Sequence, residues 1–184
     1  MSDVRTERLL LHAIDLAEGE RIVSRAAGAG DAWAEDYPFE GDVGGVGAFV
    51  RATATDGEQR PFGYYRITRL SDGLAIGGIG FKGRPDAGCA DIGYGLAPSA
   101  RGHGYAAEVV AALLTLASAN GLSRVVAETT LDNVASQRTL VRPASGRWAR
   151  TATSASSRWC STRVAARRGS VATPPRRRPR PCRH

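Results

Sequence analysis

The sequence predicts a mixed α/β domain around a largely antiparallel sheet, and three observations carry that expectation. Hydrophobic periodicities follow the order strand, two helices, three strands, helix, strand, helix. Two of the strands flank Ser71-Asp72-Gly73, a hairpin signal rather than a helical crossover. At 184 residues the chain fits one domain with a buried core and a tail.

The first strand is "TERLLLHAI". "DLAEGERIVSRAAGAG" reads as a short helix that Asp15 caps and that Gly28 and Gly30 end. "GGVGAFVRATATDGE" is the second helix, and "RPFGYYRITRLSDG" with "LAIGGIGFKG" supply the hairpin. In "GCADIGYGLAP" the residues Ala90, Ile92, Tyr94 and Leu96 alternate with Asp91, Gly93 and Gly95, as in a strand with two distinct faces. A helix spans Tyr105 to about Ala119, apolar on more than one face, and Asn120-Gly121 ends it with residues that tolerate a left-handed cap. "SRVVAETTL" is a strand, and Asp132 or Asn133 caps a helix beginning "VASQRTL".

The net charge of +7 conceals two kinds of sequence. All 18 acidic residues precede position 141, whereas 12 of the 25 basic residues follow it. The first 140 residues therefore carry −5 and the last 44 carry +12. No apolar run approaches the roughly 20 residues of a membrane span, and the N-terminus has no apolar signal segment. The expectation is a cytoplasmic protein without a membrane partner. Three scattered cysteines are too few for a disulfide framework or a zinc site, so free thiols and no metal are expected.

"ARGHGYAAEVV" carries the chemistry. Gly102 and Gly104 remove Cβ atoms that would keep a ligand from the backbone, and successive N–H groups in such a turn converge on an anion. The following helix N-terminus adds roughly half a positive charge, and Arg101 a full one. The loop is neither a Walker sequence nor a dinucleotide fingerprint, since lysine and spacing are wrong for each.

Arg101-Gly102-His103-Gly104-Tyr105-Ala106 resembles the pyrophosphate loop of the GCN5-related N-acetyltransferases, the GNAT family. With "IGYGLAPSARGHGYAAE" and "AETTLDNVASQRTL", the stretch from about Thr6 to Leu140 is similar to the branch that acetylates ribosomal-protein N-termini and related amines. The resemblance implies acetyl-CoA as cosubstrate, a direct transfer to a primary amine, and an assembly that allows a homodimer. By resemblance, the strand ending at Leu96 pairs with pantetheine, Arg101 to Ala106 hold the pyrophosphate, and Asn133 and Ser136 approach the cofactor.

Two carboxylates are candidate bases. Asp91 matches a strand position that holds a glutamate base in some relatives, and Glu128 shares a face with Thr130 on the next strand. Leu140 stands where many relatives carry a tyrosine that returns a proton to the thiolate. Trp33, Tyr37 and Phe39, with Glu35, Asp36, Glu40 and Asp42, fall where the family builds its acceptor pocket, a composition suited to a cationic amine.

After Leu140 the pattern changes. Relatives continue into Ala-Gly-Phe and two more strands, but here Pro143 and an Arg, Ala, Ser, Thr and Pro sequence without acids follow. The expected organisation is an acetyltransferase domain over 1–140, its final strands missing or replaced, and a disordered basic tail over 141–184. Permitted synonymous codons for "RPASGRWARTATSA", read from the third base, encode Ala-Gly-Phe and a plausible strand entry, which points to a frameshift near codon 141. Two other readings stand beside the enzyme: a noncatalytic or degenerate acyl-CoA-binding domain, and nonspecific nucleic-acid binding through the arginines.

Overall fold

The computed structural model describes residues 3–141, 148–152 and 156–162. One eight-stranded sheet runs in the order β1-β2-β3-β4-β5-β6-β8-β7. Its strands are β1 (Val4–Arg5), β2 (Leu9–Ala13), β3 (Tyr64–Arg69), β4 (Ala75–Phe81), β5 (Cys89–Leu96), β6 (Arg124–Thr130), β7 (Trp148–Ala152) and β8 (Ser156–Thr162). The helices are α1 (Leu16–Ser24), α2 (Glu40–Asp56), α3 (Tyr105–Ala119) and α4 (Val134–Val141). Every pairing is antiparallel except β5 with β6, which α3 joins as a crossover.

Local chemistry sets most boundaries. The Asp15 carboxylate caps α1 by accepting from the Glu18 N–H at 2.8 Å. That helix ends earlier than the glycines suggested, because Arg25 itself takes a left-handed conformation (φ 55°). The β3–β4 turn closes through the Gly73 N–H on the Arg69 carbonyl, with Gly73 at φ +74°. Asn133 caps α4, its side-chain oxygen accepting from the Ser136 N–H at 3.0 Å.

Adjacent residues of β3 show how the two faces are covered. Tyr64 joins a cluster with Ile14, Ile22, Val46 and Phe49 beneath α1 and α2. Tyr65 joins the larger cluster with Val109, Val110 and Leu113 of α3 and Leu140 of α4. Alternation therefore places the two helical pairs on opposite faces.

The expectation of missing final strands is corrected. β8 pairs with β6 along its whole length, from Arg124↔Thr162 to Thr130↔Ser156, and β7 pairs with β8. The sequence hides them because β8 carries one large apolar anchor, Trp159, which is buried in the main core. Its neighbours are polar and are met by carboxylates instead. Ser156 donates to Glu128 at 2.6 Å, and Arg158 lies 3.6 Å from Asp91. A strand stabilised in this way shows no apolar alternation. The Pro143 break and the basic end over 163–184 lie outside the described residues.

Cys160 is a free, half-buried thiol among the described residues. Among the described residues no helix is long and apolar enough to cross a membrane, and no cluster of metal-ligating side chains is present.

Candidate active site

The register of β5 creates the site. β5 pairs with β6 only from Cys89↔Arg124 to Ile92↔Ala127, yet β5 continues to Leu96 and β6 to Thr130. Beyond Ile92 the two strands part, so the β6-facing edge of residues 93–96 loses its ladder partner. On its other edge, β5 stays bound to β4, with Gly78↔Gly95 and Gly77↔Leu96. The parted strands thus leave a row of backbone groups facing a gap, an arrangement that accepts an extended chain by strand-like pairing.

Into that gap opens a cavity of about 550 Å³. Gly93, Tyr94 and Gly95 of β5 line it, with Glu128 and Thr129 of β6 and with Asn133 and Ser136 at α4. Its far wall belongs to α2 and the β3–β4 edge, through Gly44, Gly45, Ala48, Phe49, Phe62 and Phe81.

At the C-terminal end of β5, a single 3₁₀ turn (Pro98–Ala100) leads into the glycine loop. Gly102 and Gly104 both have positive φ, +83° and +80°. Within the described residues, no protein group accepts from the N–H groups of Gly102 to Ala106. These donors at the start of α3 are unpaired, the backbone arrangement that an anion nest requires. Arg101 is exposed, and its Nε donates to the Leu96 carbonyl at 3.0 Å, tying the loop to the end of β5. Leu96 is buried and contributes backbone to this junction.

A clamp that the sequence reading missed holds the loop. Arg8, in the β1–β2 turn, donates through Nη1 to the His103 carbonyl at 2.9 Å and through Nε to Glu108 at 2.8 Å. Its guanidinium sits 4.7 Å above the Tyr105 ring, and the His103 ring stacks on that same Tyr105 ring with centroids 5.5 Å apart. Glu108 also accepts from Thr6 Oγ1 at 2.6 Å. Burial raises the Glu108 pKa, but the bonds from Thr6 and Arg8 outweigh it, and the net shift is downward. The Arg8 charge is thereby balanced by Glu108, while Arg101 and the backbone amides of the loop are not engaged by that pair.

The two candidate bases separate. Glu128 is exposed and lines the cavity, whereas Asp91 does not line it and faces Arg158. Tyr94 lines the cavity with Glu128, its hydroxyl 2.8 Å from Ser136 Oγ, and burial raises its pKa. The acidic segment is not the cavity's lining. Asp36 accepts two bonds from Ser99, Glu40 pairs with Arg25, and Asp42 is buried against Tyr64. Of the three upstream aromatics only Phe39 lines the cavity; Trp33 and Tyr37 pack edge to face at 5.5 Å.

A family profile described as "Acetyltransferase (GNAT) domain" matches residues 8–142. The chain belongs to the GNAT acetyltransferase family. Its fold matches solved acetyltransferases over nearly their full length. RimL, a ribosomal L7/L12 alpha-N-protein acetyltransferase solved with coenzyme A, is 18% identical with a TM-score of 0.62, covering 88% of this chain and 98% of its own. A ribosomal-protein-S5-alanine acetyltransferase from Vibrio fischeri is 14% identical with a TM-score of 0.60, covering 88% and 97%. An acetyltransferase from Agrobacterium tumefaciens is 22% identical with a TM-score of 0.60, covering 89% and 95%. At these identities the likeness establishes the GNAT fold. No curated protein sequence matches the chain.

Proposed function

We propose that this GNAT domain transfers acetyl from acetyl-CoA to a primary amine. The observation that carries the reading is the parting of β5 from β6 beside a row of unpaired loop amides. The edge at 93–96 supports an extended pantetheine, and the amides of Gly102 to Ala106 support the pyrophosphate that follows it. Asn133 and Ser136 border the same channel, although Asn133 spends its side-chain oxygen on the α4 cap.

Chemically, the amine nitrogen attacks the thioester carbonyl carbon, the C–S bond breaks, and the thiolate leaves. The amine must shed a proton and the thiolate must gain one. Glu128 is the carboxylate on the cavity wall and is assigned to attract the ammonium and take its proton. Ser156, donating to Glu128 at 2.6 Å, fixes the orientation of that carboxylate. Tyr94 is a proton-bearing group on the same wall, and it replaces the role that Leu140 cannot fill. Asp91, turned toward Arg158, is the lesser candidate and acts on the charge of the neighbouring strand.

Calorimetric titration of acetyl-CoA into the full chain tests the cofactor half. Saturable micromolar binding that Arg101→Glu weakens is the expected result, and its absence in folded protein removes the reading. Thiol release on mixing with an amine panel then tests the transfer.

A further inference from the structure

The acceptor end of the cavity has a composition that narrows the substrate class, an inference that rests on the acetyl-transfer reading above. α2 turns small residues toward the cavity, Gly44, Gly45 and Ala48, so the helix itself leaves space open. A Cβ placed on Gly44 would meet nothing within 4 Å. Around that space stand the rings of Phe39, Phe49, Phe62 and Phe81, and the last two meet edge to face at 5.2 Å. The whole cavity, cofactor channel and acceptor end together, holds about 550 Å³.

Charge is sparse in this lining. Among the described residues, Lys82 and Glu128 are the ionisable acid and base groups on the cavity wall apart from tyrosines. Glu128 sits on the β6 side, where the parted strands would present the thioester. Lys82 stands on the β4 side, its stem within 3.2 Å of the Cβ position of Gly93. The acidic residues 35, 36, 40 and 42, which would suit a polycation, are absent from the lining.

We propose that the acceptor is a monoamine carried on an apolar, ring-sized body. The amine meets Glu128, and the body occupies the space between α2 and the β3–β4 edge. A polyamine is disfavoured, because its second ammonium would enter a wall of rings without a carboxylate and approach Lys82. An unpaired buried ammonium is costly, whereas burying a ring against Phe62 and Phe81 is favourable.

The test compares 2-phenylethylamine, spermidine and a hydrophilic peptide amine in a thiol-release assay with acetyl-CoA. The expected result is a kcat/KM for 2-phenylethylamine at least about tenfold above the other two. Equal or better turnover of spermidine or the peptide overturns the proposal while leaving acetyl transfer intact. Gly44→Phe projects a ring into the open space and is expected to raise the KM for 2-phenylethylamine about tenfold. Its acetyl-CoA Kd, measured calorimetrically, is expected to stay within about twofold, which shows the variant to be folded. Titrating 2-phenylethylamine directly into wild type and Gly44→Phe separates the two claims. Saturable binding lost in the variant supports the acceptor class even if transfer fails, and no binding to wild type overturns it.

Discussion

Replacing Asp42 with asparagine should change how stability depends on pH, and the size of the change follows from burial. Asp42 lies in the first turn of α2, is 1% exposed, and accepts from the Tyr64 hydroxyl at 2.5 Å. Burial pushes its pKa from 3.8 to about 6, against the opposing hydrogen bond from the Tyr64 hydroxyl. The sign is the reverse of a salt-bridged carboxylate. Between the two values the folded state holds the proton that the unfolded chain has released, so stability falls as pH rises. The shift corresponds to about 3 kcal/mol in all, with about 2 kcal/mol of it lost between about pH 4.5 and about pH 7.5. Asparagine cannot ionise and escapes this loss. Its own constant cost or benefit cancels when the difference between variant and wild type is followed across pH. Urea unfolding supplies the assay. With slopes of roughly 1–3 kcal/mol per molar, the gap between the two midpoints should move by about 1 M in favour of Asp42→Asn as pH rises. Midpoints that stay parallel across the range would refute a buried, protonated Asp42.

Three further perturbations read other parts of the molecule. Glu128→Gln should lower kcat/KM toward the amine by about a hundredfold and leave the acetyl-CoA Kd within about twofold, measured by thiol release and calorimetry. Gly104→Val places a β-branched residue at φ +80° in the amide nest, and acetyl-CoA affinity should fall at least about tenfold by calorimetry. Trp159→Ala removes the core anchor of β8 and should cost about 3–5 kcal/mol in urea unfolding; a cost below about 1 kcal/mol would mean that β8 is not packed into the sheet.

What could be read in advance was whatever local chemistry decides. α3 runs from Tyr105 to Ala119 as its periodicity and the Asn120-Gly121 ending require, and the Ser71-Asp72-Gly73 turn joins β3 to β4. The glycine loop was legible for the same reason, since positive φ at Gly102 and Gly104 is a property of those residues. The cavity was not legible. Phe39, Phe49, Phe62 and Phe81 are separated in sequence and converge only through the packing of α2 against the sheet. Nor could spacing tell an acidic segment lining a pocket from one whose carboxylates are spent on Ser99, Arg25 and Tyr64. The Arg8 clamp was hidden because its partners, His103 and Glu108, lie about a hundred residues away.

The segment after Leu140 bears on the chemistry as well as the fold. Each candidate base has a partner on β8: Ser156 for Glu128 and Arg158 for Asp91. Those two β8 residues lie two apart, so alternation puts them on the same face, over the end of β6 where the strands part. In the proposed mechanism the arginine pairs with one carboxylate, and the serine donates to the one on the cavity wall. The difference between Asp91 and Glu128 is therefore imposed by a strand whose own sequence shows no strand pattern. Arg158→Ala removes the guanidinium that lies 3.6 Å from Asp91 and opposite Glu128 in the register, while the Ser156 bond to Glu128 stays available. If Glu128 is the base, that variant keeps its turnover and Glu128→Gln on the same background stays inactive. Turnover that survives in the double variant would transfer the role to Asp91.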